Sequence, residues 1–249
     1  KIMALWKSVT LLGPIRSYCF KYLASIQWMN ERATSDKAYV PTPAEHIANV
    51  ITHGIWVLPS AYGSFNLVSR STSWSQFWAA FVYGISLILC FTVSTVFHSV
   101  FYCGRNWPLK EMLHRGDRAM IYVFIAASYF PWLVLKPPPS DTWPSHLWWL
   151  IWVLAFFGIA YQQVFHEKYK SLETFFYILV GVGPSIVVLH YKALGPGEDQ
   201  LKLGGLLYML GVFFFKCDGT IPCAHAIWHL FVAGAAFIHY NAILNNLYS

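Results

Sequence analysis

Long stretches without a charged residue limit most strongly what this chain can fold into. The last of them, 219–249, contains no Asp, Glu, Lys or Arg. A helix rises about 1.5 Å per residue, so about 20 apolar residues cross the roughly 30 Å hydrocarbon core of a bilayer. This run is therefore long enough to span a membrane as one helix. With 57% hydrophobic and only 11% charged residues, the whole chain has the composition of a membrane protein.

Seven such stretches appear when the sequence is divided at its charged residues. They lie within 45–70, 70–105, 118–136, 141–167, 173–192, 202–216 and 219–249. The sixth is short, and its flanking Lys202 and Lys216 are expected to extend their aliphatic stems so that the ammonium groups reach the interface. The sequence thus predicts an all-α polytopic membrane protein with a seven-transmembrane helix bundle over 46–249.

Basic residues are divided unequally between the two ends of these spans. The segment 1–45 contains six of the seventeen Lys and Arg residues and is predicted to be a basic, amphipathic segment that lies on the membrane surface. Together with the loops on the same side, it brings thirteen of the seventeen to the side of the N-terminus. Because basic residues favour the cytosolic side, we expect a cytosolic N-terminus and a lumenal or extracellular C-terminus.

Charge and cysteine content exclude other classes. The formal net charge is +6, but the basic residues form no stripe with interleaved aromatic residues, so an anionic membrane surface is favoured over nucleic acid as a partner. Five cysteines are an odd number, and none stands in a CxxC spacing. Neither a disulfide framework nor a thiolate zinc site is predicted.

Candidate metal ligands come from two distant parts of the chain. His225 and His229 lie four residues apart, on one face of the last predicted helix. A single pair with this spacing has little meaning, because chance supplies such pairs. In the predicted orientation, however, His98 in the second span and Asp117 at the start of the third reach the same cytosolic layer of the membrane, and Ser94 lies one turn before His98.

Three imidazoles at one depth favour zinc, with a fourth coordination position left for water as in catalytic sites. Asp117 would then move the proton of that water, and Ser94 would hydrogen-bond the water or a reacting oxyanion. Iron and copper also accept imidazole ligands. A lone intramembrane His is as readily explained by a hydrogen bond between helices, Asp117 by a helix cap or a pair with a neighbouring arginine, and Ser94 by a bond to its own helix. The shared depth favours the metal, since polar residues in a bilayer are costly.

Other polar residues receive simpler interpretations. Glu45, Asn49 and His53 share one face of the first span, which fits either an inward stripe that supports the site or a capped helix start. Asp218 or Thr220 is predicted to cap the last helix, with Pro222 in its first turn. Six histidines are interpreted as interfacial residues at span ends or loops: His46, His114, His146, His166, His190 and His239.

The combined motifs resemble a known family. They are Ser94-x-x-x-His98, Pro222-x-x-His225-x-x-x-His229, Asp117 ahead of Tyr-Phe-Pro-Trp at 129–132, and Glu-His-Ile-Ala-Asn-Val-Ile-Thr-His-Gly at 45–54. This pattern is similar to the progestin and adipoQ receptor family and its haemolysin III relatives. The resemblance implies a seven-helix receptor-like bundle in which His98, His225 and His229 hold zinc while Ser94 and Asp117 approach the metal-bound water.

The resemblance also implies functions. The family is similar to alkaline ceramidases, which implies zinc-dependent hydrolysis of a membrane lipid amide such as ceramide. Details at 166–170 and 214–222 resemble one subgroup associated with Golgi membranes and with Ras and kinase signalling, which implies cytosolic signalling proteins as partners. One alternative is a non-enzymatic membrane scaffold with structural zinc. A channel is a third hypothesis, disfavoured because the spans lack repeated rings of charge.

Overall fold

A computed structural model describes residues 25–34, 39–103, 107–190, 195 and 197–249, and within them the chain is helical with no strand. In this described part of the chain, seven long α-helices follow one another, with one short 3-10 helix at Trp143–His146. They are α1 Pro43–Ser69, α2 Trp74–Cys103, α3 Trp107–Leu135, α4 Leu147–Val164, α5 Lys170–His190, α6 Glu198–Phe215 and α7 Ala224–Leu247. Most of the predicted surface segment, 1–24, lies outside the described residues.

Each predicted span overlaps one helix, but α3, α5 and α6 begin before their spans, and α3 does so by eleven residues. Asp117 therefore lies well inside α3 and not at its start. The first turns of α3 are charged and continue beyond the apolar stretch, where Arg115 pairs with Glu111 at 2.8 Å one turn away. Such pairs stabilise an exposed helix end. Gaps between charges thus mark the apolar part of a helix and not its ends.

Among the described residues, five stretches are long and apolar enough to cross a membrane: α2, 108–135 in α3, 143–164, α5 and α7. Of the two remaining helices, α1 is inverted in pattern. α1 buries Glu45, Asn49 and His53, whereas its exposed face is apolar. That face consists of Ile47, Ile51, Ile55, Leu58, Tyr62 and Phe65. An apolar stripe on the outside at helical spacing fits contact with lipid, and it explains why hydropathy averaged over α1 underestimates its suitability as a span.

The helices pack in chain order and close into a bundle. Each of α1 to α5 contacts its successor, α6 packs along α7, and α7 also contacts α1 and α3, whereas α5 and α6 touch only sparingly. Close approaches use small residues: a Cβ on Gly158 would lie 2.3 Å from the ring of Tyr122, and one on Gly84 would lie 2.1 Å from the Ser64 hydroxyl. Small residues are what lets membrane helices pack this closely.

The start of α1 is capped as its sequence indicates, but the start of α7 is not. Thr42 and Glu45 form a capping box at α1. At α7 the N-cap is Cys223, in a left-handed conformation with φ 53° and without a side-chain cap. The prediction that Asp218 or Thr220 caps this helix, with Pro222 in its first turn, is therefore wrong, because the chain turns again at 221–223 before the first helical residue, Ala224.

Candidate metal centre

His98, His225 and His229 converge at one end of the bundle, here called the histidine end. One ligand atom from each residue lies within 4.8 Å of the others. The ring of His98 is 5.3 Å from each of the other two, and those two are 4.7 Å apart. His98 and His229 are buried. The geometry thus brings together the end of α2 and the first turns of α7, which four intervening helices separate in the chain.

Each ring has a polar neighbour on its Nδ1 side. Asn49 Nδ2 lies 3.5 Å from His98 Nδ1, and Thr52 Oγ1 lies 3.1 Å from His229 Nδ1. Asp218 Oδ2 lies 3.7 Å from His225 Nδ1. Histidines that bind metal generally donate their second N–H to such an outer partner, which fixes the ring and its tautomer.

The remaining ring nitrogens are available to a ligand. His98 Nε2 is buried and has no hydrogen-bond partner among the described residues. An unsatisfied buried nitrogen is costly unless it binds something. Three imidazoles with outer partners, one of them with a buried Nε2 that has no described hydrogen-bond partner, fit a zinc ion. His98, His225 and His229 would hold it.

The polar residues on one face of α1 fill both roles that the sequence suggested, since they cap the helix start and also contact the histidines. Glu45 belongs to the capping box, whereas Asn49 faces His98. The ring of His53 stacks on His229 at 3.6 Å between centroids. Both of its ring nitrogens are buried without a hydrogen bond to a described residue. His53 is therefore a packing neighbour of the group, outside the set of three close donors.

Ser94 and Asp117 face a cavity that begins at the histidines. The Ser94 hydroxyl lies beside the Asp117 carboxyl group but makes no hydrogen bond of normal geometry. Asp117 is outside the set of donors within 4.8 Å, so it borders the histidines without joining them. This arrangement leaves room between Asp117 and the imidazoles for a reacting group.

The cavity has a volume of about 490 Å³, within the usual range for small-molecule sites. Ser94, Asp117 and His225 line its polar end. The rest of its wall is mainly apolar and comes from α3, α5, α6 and α7, as with Phe124 and Val212. At the sparse contact between α5 and α6, the lining residues Ile186 and Met209 are also exposed on the outer surface. The cavity can therefore accept an apolar chain from the side of the bundle.

The sequence analysis did not identify two neighbours of the histidines, Tyr39 and Thr52. Tyr39 lies outside the helices, and its ring stacks on His225 at 5.1 Å. Burial raises the pKa of Tyr39 well above its usual range, with Asp218 adding to the effect, so its hydroxyl stays protonated. Thr52, by contrast, continues the polar stripe of α1 three residues after Asn49, and its position on that face could have indicated a role.

A second cluster lies nearby and contains two of the histidines that the sequence placed at span ends or loops, His114 and His166. His114 Nδ1 is 3.2 Å from His166 Nε2, and Glu167 Oε1 is 3.6 Å from His114 Nε2. Their ligand atoms also lie within 4.8 Å of one another. Phe97 separates this group from the first, since its ring contacts His98 on one side and stacks on His114 at 4.9 Å on the other.

Arg118 sits at the centre of the second cluster. Its guanidinium contacts Glu167 at 2.5 Å and Glu173 at 2.9 Å, and its Nε donates to His114 Nε2 at 3.2 Å. The described carboxylates that it contacts are these two, and Asp117 is not among them. Arg115 instead pairs with Glu111. Among the described contacts, neither arginine forms an ion pair with Asp117, although Arg118 is near enough to interact with its charge.

The class of protein follows from these features: a polytopic helical membrane protein with a candidate metal centre at one end of an apolar cavity. Residues 43–240 match the model of the Haemolysin-III related family, and the chain belongs to this family. The resemblance inferred from the histidine motifs is thereby confirmed.

Several curated relatives cover most of the chain. Monocyte to macrophage differentiation factor from Homo sapiens is 45% identical over 228 residues, which are 89% of this chain and 92% of the relative. Hemolysin-3 homolog from Bacillus subtilis is 34% identical over 208 residues, 82% and 94% of the two chains. Hemolysin-3 from Bacillus cereus is 33% identical over 221 residues, 87% and 96%. The stretches at 166–170 and 214–222 had indicated the subgroup of the human relative.

Proposed function

We propose that the protein is a seven-helix, receptor-like membrane protein with an intramembrane zinc site that hydrolyses the amide bond of a membrane lipid such as ceramide. One observation carries the proposal: three histidine donors lie within 4.8 Å of one another, and two of them, His225 and His229, line an apolar cavity that Ser94 and Asp117 also line. When bound, zinc supplies a Lewis acid that polarises a carbonyl group and activates water near neutral pH.

The residues of the chain have separate roles in this reaction. The outer contacts of His98 and His229 with Asn49 and Thr52 orient the two rings. Asp117, at the border of the histidine group, takes a proton from the attacking water and passes it to the leaving amine. Ser94, beside Asp117, donates its hydroxyl hydrogen to the acyl oxygen as negative charge develops there.

The shape of the cavity supports a lipid as substrate. Its apolar wall can bury an acyl chain, and burial of apolar area contributes about 25 cal/mol per Å². Its side opening between α5 and α6 faces the region where lipid would lie, so a substrate can enter without leaving the membrane. An amide bond held at the polar end then reaches Ser94 and Asp117.

A role in signalling and a Golgi location extend this proposal. They rest on the likeness to monocyte to macrophage differentiation factor, and the basic segment 1–45 is the proposed contact for cytosolic signalling proteins. A fluorescent fusion that fails to colocalise with Golgi markers would contradict the location without affecting the metal centre.

Lipid hydrolysis tests the catalytic part. Purified protein in phosphatidylcholine vesicles that contain ceramide is expected to release fatty acid, and Asp117→Asn is expected to reduce the rate by about 100-fold or more, the usual contribution of a general base. Asp141→Asn, an exposed loop change, is the matched control and should leave the rate unchanged. Release that survives in Asp117→Asn would contradict the proposed chemistry.

A non-enzymatic scaffold with structural zinc is the second candidate, and the packing favours it in one respect. α2 and α7 pack little against each other directly, so a metal held by His98 and His229 would join two helices that otherwise touch sparingly. In that case chelation would lower the unfolding temperature while vesicles showed no fatty-acid release. A channel, suggested by the names of the bacterial relatives, would be supported only by ion flux in liposomes.

A further inference from the structure

We propose that the segment before α1 contributes to metal binding, because its Tyr39 is a positioning residue for His98 and His225. This inference rests on the metal site of the proposed function and is independent of whether the site hydrolyses lipid. Tyr39 makes two contacts with the centre: Asn49 Nδ2 lies 2.8 Å from its hydroxyl oxygen, and its ring stacks on His225 at 5.1 Å.

The amide of Asn49 connects Tyr39 to a metal ligand. The same Asn49 Nδ2 atom is 3.5 Å from His98 Nδ1, while Asn49 Oδ1 is buried without a hydrogen-bond partner among the described residues. The oxygen and the nitrogen of a side-chain amide have nearly the same shape. Which of the two faces a neighbouring group depends on whether that group donates or accepts a hydrogen bond. The hydrogen bonds to Tyr39 and His98 therefore determine together how the Asn49 amide is oriented.

Metal binding to His98 determines the orientation of the Asn49 amide. If His98 binds a metal through Nε2, its Nδ1 must carry a proton and needs an acceptor. Asn49 then has to present Oδ1, and the only way for Tyr39 to keep its bond is to donate its hydroxyl hydrogen to the same oxygen. A protonated phenol can do so. Tyr39 thus stabilises the amide orientation that the metal-bound His98 requires.

The segment before α1 also contacts the loop that carries Asp218, the acidic neighbour of His225. Asn30, which is buried, accepts a hydrogen bond from the backbone N–H of Gly219 at 3.2 Å, and its own N–H donates to Glu45 at 3.3 Å. Gly219 follows Asp218, which faces His225. A Cβ on Gly219 would lie 2.4 Å from Arg32, so this contact between segment and loop leaves no space for another residue type.

Two substitutions of the same chemical kind test the inference. Tyr39→Phe keeps the ring over His225 and removes only the hydroxyl. Tyr240→Phe is the matched control, because its hydroxyl also accepts from an asparagine amide, that of Asn66, at 3.1 Å. Asn66 lies about 25 Å further along α1 than Asn49. Zinc affinity is measured by chelator competition on the full chain in detergent, and cobalt substitution reports the ligand geometry by its visible absorption.

Tyr39→Phe is expected to weaken zinc binding by about 10-fold to 100-fold, as for other outer partners, and to change the cobalt spectrum. Tyr240→Phe should do neither. Wild-type affinity in Tyr39→Phe overturns the inference, and so does an equal loss in both variants, which would indicate general loosening. A wild-type protein without zinc overturns the metal site itself, while absent hydrolysis with these affinities intact contradicts only the proposed reaction.

Asn49→Asp gives an independent check. A carboxylate accepts hydrogen bonds from both His98 and Tyr39 without any choice of orientation. This variant should therefore bind zinc at least as tightly as the wild type, whereas Asn49→Leu should bind it about 10-fold to 100-fold more weakly. Equal losses in the two variants would show that Asn49 is not an acceptor and would overturn the inference.

Discussion

The two histidine clusters of this protein lie on either side of Phe97 and have similar donor spacing, but their surroundings differ. In the first, His98 Nε2 has no hydrogen-bond partner among the described residues. In the second, His114 and His166 have described partners at each ring nitrogen: each other, Arg118 and Gln162. The distance between donors alone does not distinguish a metal site from a hydrogen-bond network.

The charged side chains around the two clusters also differ. Near the first, the acidic side chains Asp117 and Asp218 can balance a divalent ion. The second already contains Arg118, and Lys170 contacts Glu167 at 3.0 Å. A metal ion there would have to compete with two cations for one carboxylate. We therefore interpret the second cluster as an ion-pair network that fixes the α4–α5 loop to α3.

The largest expected effect distinguishes the clusters by their response to loss of a histidine. His229→Ala removes a ligand, and zinc affinity should fall by more than the 100-fold typical of outer partners. His114→Ala, in the second cluster, should leave zinc affinity unchanged. Chelator competition measures both. If His114→Ala lost zinc to the same extent as His229→Ala, the assignment of the metal to the first cluster would be contradicted.

Removal of Arg118 should affect stability instead. Arg118→Met leaves Glu173 buried without its cation and Glu167 with Lys170 alone, and breaking a buried pair in this way costs about 3–5 kcal/mol of unfolding free energy. Lys202→Met removes an exposed pair with Glu198 and should cost about 1 kcal/mol or less. Urea unfolding in detergent measures the two. Equal costs would mean that the second cluster does not stabilise the loop.

A smaller effect is expected from the outer partner of His229. Thr52→Val keeps the side-chain shape but removes the hydroxyl that lies 3.1 Å from His229 Nδ1. Zinc affinity should fall by about 10-fold, with no change in the unfolding of the zinc-free protein beyond about 1 kcal/mol. An unchanged zinc affinity would remove Thr52 from the metal centre.

The smallest effect concerns pH. Burial lowers the pKa of His166, helped by Arg118 and Arg115 and opposed by Glu167 and Glu173. The folded protein thus binds a proton at His166 less readily than the unfolded chain does, so acidification below about pH 6.5 favours unfolding. His166→Gln should therefore lose less stability than the wild type between pH 7 and pH 5. A steeper loss in the variant would contradict the assigned direction.

The sequence was sufficient to predict the helices and the three close histidines because both depend on regular spacing. Charge-free runs located seven helices, and helical rise brought His98 to the depth of His225 and His229. The early start of α3 was missed because charged turns continue a helix beyond its apolar part.

Neighbours contributed by irregular segments could not be predicted. Glu167 reaches Arg118 through a backbone with φ 62°, a conformation that non-glycine residues rarely adopt. Tyr39 reaches His225 from a segment without periodicity, and Asp218 does so from the loop before α7. Their positions depend on tertiary contacts that no local pattern encodes. Which side of the membrane the histidine end faces stays a prediction from the distribution of Lys and Arg.

X-ray absorption at the zinc edge, combined with elemental analysis of the purified wild-type protein, tests the central claim most directly. The account predicts one zinc per chain with three nitrogen ligands from imidazole at about 2.0–2.1 Å, lost in His225→Ala and retained in His166→Ala. A protein without stoichiometric zinc, a sulfur ligand at about 2.3 Å, or zinc that survives in His225→Ala would contradict it.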